Sequence, residues 1–230
     1  MSSEKPLFGK DQAENYDKQW SKLSPVNDLL HFLSKVILQD LPSDAHILCV
    51  GAGTGAELIA FAKEFPEWRF TALDVSPEMI EVCRKNIENA GISSRGKFHT
   101  GTVESLPAEE KFDSATSILV SQFLTEKEDR INFFSEIRKR LTSGGYLISA
   151  DLTSPDTEDS YDELIKIWTK MLVFAGFTRE KAEAASSQWG KMVAVSKQKE
   201  IETIISAGGF EKPTVFYQSL FIKAWFAKNS

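Results

Sequence analysis

The spacing of apolar residues along this 230-residue chain changes period repeatedly, and each change marks an element. His46 to Val50 (HILCV) is an unbroken apolar run that stops at Gly51-Ala52-Gly53-Thr54-Gly55. A short run of this kind, bounded by glycines, reads as a buried strand. Glu57 to Glu64 follows with helical spacing, then Arg69 to Asp74 as a second strand. Ser76-Pro77-Glu78 opens the next helix with serine as N-cap, proline at the first position and an acid in the first turn. Met79, Ile80, Val82, Cys83 and Ile87 form its inner face until Ala90-Gly91 stops it. Lys97 to Thr100 is a short strand, and Phe112-Asp113 leads into another, Ser114 to Val120. The helix Glu126 to Leu141 turns Ile131, Phe134, Ile137 and Leu141 inward, Ser143-Gly144-Gly145 caps it, and the strand Tyr146 to Leu152 follows.

Strands and helices alternate through this region, which predicts a parallel sheet covered on both faces. The flanks read differently. Met1 to Gly9 is polar and reads as a loose tail; Asp11 to Trp20 is helical, with Tyr16 and Trp20 on one face. Ser24-Pro25 opens a helix to Leu38 whose residues Leu29, Leu30, Phe32, Leu33, Val36 and Ile37 predict a wide buried stripe. After Leu152 the order shifts to a mostly helical stretch, Asp159 to Ala194, and a helix from Lys197 to Ala207. Thr214 to Gln218 and Leu220 to Ala227 lie so close that they form an antiparallel hairpin. No repeat or linker divides the chain, so residues 1–230 are expected to form one domain.

Composition narrows the partners. Net charge is −6 and the pI about 5.3, a field that disfavours long nucleic acid. The two cysteines, Cys49 and Cys83, make no metal spacing and read as small core residues, and no metal site is expected. Met1 to Lys10 lacks the apolar run of a signal peptide and no stretch reaches the ~18 apolar residues of a membrane span, so a cytoplasmic setting is expected.

The chemistry starts at the glycine turn. Bare backbone between a strand and a helix start lets a ligand approach closely, at the carboxyl edge of the sheet. Gly51-x-Gly53-x-Gly55, with Ala56 next, also satisfies the dinucleotide fingerprint, so the turn alone does not choose its ligand. Asp74 ends the next strand 19 positions beyond Gly55, where a carboxylate accepts both hydroxyls of a ribose. Together they indicate a nucleoside-bearing cofactor.

Nearly the whole chain resembles the class I methyltransferases that use S-adenosylmethionine. Their glycine motif matches Gly51, Gly53 and Gly55, and their ribose acid matches Asp74. Val75-Ser76-Pro77-Glu78-Met79-Ile80, Gly101-Thr102-Val103-Glu104-Ser105-Leu106-Pro107, Phe112-Asp113 and Leu141 to Leu147 are typical of them too. The resemblance implies a Rossmann-like, doubly wound α/β fold: a seven-stranded, mostly parallel sheet with an antiparallel C-terminal hairpin, in three αβα layers. It implies a cofactor site of Gly51, Ala52, Gly53, Gly55, Asp74, Val75 and Met79. Thr102, Val103 and Glu104 then lie near the adenine, Ser117, Ile118 and Gln122 near the methionine portion, and Tyr16 closes from the N-terminal helix. Two positions depart from the pattern: Cys49 stands where the family has an acid, and Thr102 where it has an aspartate. A more distant likeness, in Ser121-Gln122-Phe123-Leu124 and residues 209–228, is to the carboxy-S-adenosylmethionine synthase of tRNA modification. Ungapped counting from Gly209-Phe210 puts Ser186 where that family has an arginine, with Arg179 nearby.

The expected reaction is transfer of the sulfonium methyl to a small-molecule acceptor, leaving S-adenosylhomocysteine. The alternatives are a carboxy-S-adenosylmethionine synthase-like or tRNA-directed enzyme, and a non-catalytic S-adenosylmethionine-binding protein. Residues 1–40 form a helical cap in this reading, and 155–195 a substrate lid offering Trp168, Tyr161, Met171, Phe174, Phe177, Trp189 and Met192, with Trp20 from the cap. His31, His46 and His99 read as structural; Asp151, ending the fifth strand, is the candidate for orienting acceptor or proton. Arg138-Lys139-Arg140 reads as complement to a helix dipole. Monomer and homodimer both stay open.

Overall fold

The computed structural model describes residues 9–187 and 189–230; the tail expected over Met1 to Gly9 lies outside them except for Gly9. Eight helices and eight strands follow in chain order among these residues. Helix α1 (Lys10–Trp20) passes through a 3-10 turn into α2 (Ser24–Leu38), then β1 (His46–Val50), α3 (Ala56–Glu64), β2 (Arg69–Asp74), α4 (Pro77–Asn89), β3 (Gly96–Thr100) and β4 (Phe112–Ile118). Next come α5 (Lys127–Arg140), β5 (Leu141–Ser154), α6 (Glu158–Ala175), α7 (Arg179–Ser187), β6 (Ser196–Lys197), α8 (Gln198–Ala207), β7 (Glu211–Ser219) and β8 (Ile222–Lys228).

The sheet order is β3-β2-β1-β4-β5-β8-β7, with two-residue β6 pairing beside the end of β5. Strands β1 to β5 are parallel, while β8 runs antiparallel to both β5 and β7. Chain order reverses direction between β1 and β4, the crevice where open α/β sheets bind ligands. Strand β1 is buried at every position, as its alternation-free sequence requires of a central strand covered on both faces. One apolar layer joins Leu48, Val50, Phe112, Phe134, Ile137 and Trp225; the opposite layer joins Ile47, Cys49, Phe61, Trp68, Phe70 and Cys83. A third, around Leu30, Trp168, Leu172, Tyr217 and Phe221, lies under α2, α6 and α7.

Some boundaries differ from expectation for local reasons. Ser143-Gly144-Gly145 does not cap α5: the helix ends at Arg140 and β5 begins at once, with Leu141 already extended. The glycines instead admit the C-terminal segment, since the Gly144 N–H donates to the Asn229 carbonyl and the Asn229 N–H to that of Gly145. A Cβ on Gly145 would stand 3.0 Å from two carbonyl oxygens. On α2 only one side of the expected stripe is covered; Leu29, Phe32 and Val36 are exposed. The helical stretch ends at Ser187.

Candidate cofactor site

The three glycines of the turn all adopt left-handed φ, at 65°, 52° and 84° for Gly51, Gly53 and Gly55. Their surroundings differ. A Cβ on Gly51 would lie 2.3 Å from Val120 Cγ2, and one on Gly55 2.8 Å from Cys83 Sγ. Around Gly53 it would meet nothing nearer than the Gly51 carbonyl at 4.0 Å. The outer two glycines serve packing; the middle one faces open space where a ligand can reach backbone.

Asp74 closes the turn from β2. Its Oδ2 accepts the Gly53 N–H (3.0 Å) and its Oδ1 the Ser76 N–H (2.9 Å). The Val75 N–H also acts on the carboxylate, and of its roughly four lone-pair sites the remainder is open to a hydroxyl such as that of a ribose. Burial raises its pKa, and the backbone N–H bonds oppose the rise. Beside it Val75 is an aliphatic side chain left 65% exposed, a surface an adenine face would cover. Ser76 caps α4 by accepting the Met79 N–H, and Met79 is buried beneath.

Of the residues expected near an adenine, Val103 is buried and Thr102 exposed. The loop is fixed by Arg140, whose guanidinium donates to the carbonyls of Pro107 and Glu104. Arg140 is therefore a buried loop anchor as well as part of a helix C-terminus. His99 shares a hydrogen bond with the Ser105 hydroxyl (2.7 Å).

Across the crevice, β4 ends in Ser117, whose hydroxyl is buried without a protein partner, and Ile118. Leu119 follows at φ 59°, an unusual value for a branched residue, held by its N–H to the Ala150 carbonyl. Gln122 Oε1 accepts the Leu152 N–H and its carbonyl the Ala194 N–H. Asp151 lies on β5, fully buried, accepting from the Ser121 hydroxyl at 2.8 and 2.9 Å and 3.4 Å from the Arg130 guanidinium. Burial raises its pKa to about 6 against the pull of Arg130. This knot holds the loop that borders Gly51.

Helix α1 covers the turn. Asp17 accepts from the Thr54 hydroxyl (2.7 Å) and from Asn86 (3.1 Å), while Asn86 also donates to the Thr54 carbonyl (3.0 Å). Half-buried Tyr16 is near enough to Asp74 to feel its charge; burial first, then Asp17 and Asp74, raises its phenol pKa. Sequence reading passed over Asp17, Arg130 and Glu57. Asp17 and Arg130 sit in charged stretches resembling solvated helix faces, and only the tertiary fold turns them inward.

His31 and His46 lie elsewhere. His31 packs edge-on to Phe61, and burial pulls its pKa to about 4. His46 shares a hydrogen bond with Thr71. Among the residues expected around an acceptor, Trp20, Tyr161, Trp168, Met171, Phe177 and Trp189 join one apolar layer with Ile118 and Leu119, whereas Phe174 and Met192 are exposed. Arg179 is exposed and 3.8 Å from Glu183, and Ser186 donates to the Glu183 carbonyl, a bond within α7.

A glycine turn at the sheet's switch point, a ribose-capable acid and an antiparallel β7–β8 end define the fold of nucleoside-cofactor methyltransferases rather than a two-half dinucleotide fold. Residues 47–145 match the family described as a methyltransferase domain. Over that stretch the chain is similar to methyltransferase domains, and over most of its length to a methyltransferase that is a curated relative. It is 26% identical to the demethylmenaquinone methyltransferase of Bacteroides fragilis over 87% of its own length and 86% of that protein. Its fold matches the O-methyltransferase family 2 protein of Planctomyces limnophilus, solved with apigenin, at TM-score 0.67 and 15% identity, covering 98% of this chain and 63% of that one. Human N-acetylserotonin methyltransferase, solved with S-adenosylmethionine, gives 0.65 and 13%, covering 96% and 56%. The chain thus spans about three-fifths of the length of these two structures, and the likeness to them concerns the fold.

Proposed function

We propose that this chain transfers the methyl of S-adenosylmethionine to a small, partly apolar acceptor, working in the cytoplasm. Bound there, the cofactor supplies a methyl already activated on a sulfonium, with a neutral thioether as leaving group. In this reading Gly51, Ala52, Gly53, Gly55, Asp74, Val75, Met79, Thr102, Val103 and Glu104 hold its nucleoside end, Ser117, Ile118 and Gln122 its methionine end, and Tyr16 covers it. The observation that carries the acceptor class is the continuity of Ile118 and Leu119 with the aromatic layer of Trp20, Tyr161, Trp168, Phe177 and Trp189. A methyl presented at the end of β4 meets apolar and aromatic surface built by the N-terminal helices and α6–α7, the cap and lid of this reading. Such surface suits a small molecule with few, placed polar groups. The name of one relative, a demethylmenaquinone methyltransferase matched over most of both chains, agrees with a small acceptor.

The protein's contribution to rate is alignment, which can be worth ~7–11 kcal/mol when acceptor, methyl and sulfur are held in line. Asp151 contributes as a positioning residue through Ser121, and the acceptor's own acidity decides whether a base is needed. Arg179, the arginine nearest the position counted for an added carboxylate, pairs with Glu183 at the surface, which favours plain methyl transfer. Incubation with methyl-labelled S-adenosylmethionine and a panel of quinols, phenols, amines and carboxylates tests the reading. Label in a small acceptor supports it. Label only in tRNA, or cofactor bound with no methyl lost to any acceptor, overturns it. Mass spectrometry of the co-purifying ligand separates the carboxylated cofactor.

A further inference from the structure

Under the glycine turn lies a buried carboxyl group with no cation. Glu57 is in the first turn of α3, two residues past Gly55, yet its side chain turns inward rather than to solvent and is 7% exposed. Its Oε1 accepts the Thr116 hydroxyl at 2.6 Å, and it borders Cys49 and Cys83. Cys49 and Thr116 are register partners on β1 and β4, the strands that form the switch point, so Glu57 bridges the crevice from below. Among the described residues no lysine, arginine or histidine forms an ion pair with it. Buried acids are ordinarily paired, because desolvation is costly for an isolated charge. This one sits where β1, β4 and the amino end of α3 converge, directly beneath a turn read above as the seat of a cofactor carrying an ammonium and a sulfonium.

We propose that Glu57 is a positioning residue whose counter-ion is the cationic methionine end of the cofactor, so that the protein completes this ion pair only on binding. The inference rests on the cofactor reading and sharpens it. It also gives the chain a carboxylate at the level where Cys49 leaves β1 without one. In the free protein burial holds Glu57 up to about 7, half neutral near physiological pH; a cation above it favours the charged form, and a proton leaves as the cofactor enters. The titratable groups beside it are Cys49 and Cys83, both raised by burial, and Asp74, Asp17 and the Arg84 guanidinium all act on Cys83 at longer range.

Calorimetric titrations with S-adenosylmethionine, S-adenosylhomocysteine and adenosine separate these effects. Adenosine reads the nucleoside end and carries no cation. Glu57→Gln should weaken the two charged ligands about tenfold and leave adenosine unchanged. Titration at pH 7 in buffers of different ionisation heat should show release of a fraction of a proton with S-adenosylmethionine in the wild type and none in Glu57→Gln. Glu57→Gln with Cys49→Asp, which returns the charge to the same polar layer, should recover affinity. Equal ligand affinities and equal proton release in the wild type and a folded Glu57→Gln overturn the proposal while leaving the cofactor reading intact. Failure of the wild type to bind any of the three ligands overturns both. If Glu57→Gln does not fold, Thr116→Val, which removes the hydroxyl that holds the carboxyl, must weaken the charged ligands and spare adenosine, and a uniform effect on all three refutes the proposal.

Discussion

Replacing each motif glycine by alanine should separate packing from binding at adjacent positions. All three occupy left-handed backbone, so each substitution carries a strain of roughly 1–2 kcal/mol. At Gly53 that is all the folded protein should feel, because the added methyl has 4.0 Å of clearance. At Gly51 the methyl would overlap Val120 at 2.3 Å, and at Gly55 it would press on Cys83 at 2.8 Å. Overpacking of this sort adds about 1–3 kcal/mol. Gly51→Ala should therefore cost about 2–5 kcal/mol in total and Gly53→Ala about 1–2. For a chain of this size 1 kcal/mol moves Tm by roughly 2–4 °C, so thermal denaturation should put Gly51→Ala well below Gly53→Ala. Calorimetry with S-adenosylhomocysteine should reverse the emphasis: Gly53→Ala, though the more stable of these variants, loses most of its affinity because the methyl fills the ligand's approach. A Gly53→Ala protein that binds as well as wild type would refute the assignment of the open side of the turn. So would a Gly51→Ala protein with unchanged Tm.

Three further outcomes follow from the same geometry. Arg130→Met leaves Asp151 buried without its partner and should cost about 3–5 kcal/mol in urea unfolding at pH 8, with a smaller loss near pH 5, where Asp151 (pKa about 6 even when paired) is protonated; a loss independent of pH counts against the pairing. Asp17→Ala releases α1 from Thr54 and Asn86 and should speed S-adenosylhomocysteine dissociation in stopped-flow while costing about 1–3 kcal/mol of stability, because the buried Thr54 hydroxyl loses its acceptor; an unchanged off-rate removes α1 from the path of exchange. Glu57 binds its proton more tightly folded (pKa about 7) than unfolded (4.5), so its contribution to stability is present below pH 4.5 and is lost as pH rises to 7, by roughly 3 kcal/mol. Comparing denaturant midpoints of the wild type and Glu57→Gln across that range checks this, and parallel pH profiles contradict it.

Periodicity made the alternating core legible, because β1 to β5 and α3 to α5 obey local rules: unbroken apolar runs for central strands, Ser76-Pro77 for a helix start, a glycine turn for a strand end. Local rules fail where distant segments decide. Gly144 and Gly145 resemble a helix stop but make room for Asn229, 84 residues on from Gly145. Helix α2 carries apolar residues around more of its circumference than its neighbours cover, which leaves Phe32 in solvent. The nucleoside end of the site was readable because glycine spacing and Asp74 act through backbone geometry within 25 residues of chain. Asp17, Glu57, Arg130 and Arg140 were not, because a charged side chain in a helical sequence looks the same whether it meets water or a buried partner.

Calorimetric titration of the wild type and Asp74→Ala with S-adenosylhomocysteine decides whether Asp74 and the Gly53 turn hold S-adenosylmethionine. Wild type should bind, and Asp74→Ala, losing charge-assisted bonds worth ~1.5–3 kcal/mol each, should bind about 100-fold more weakly or not at all. No binding to the wild type at millimolar ligand, or equal dissociation constants for the two proteins, would contradict the account.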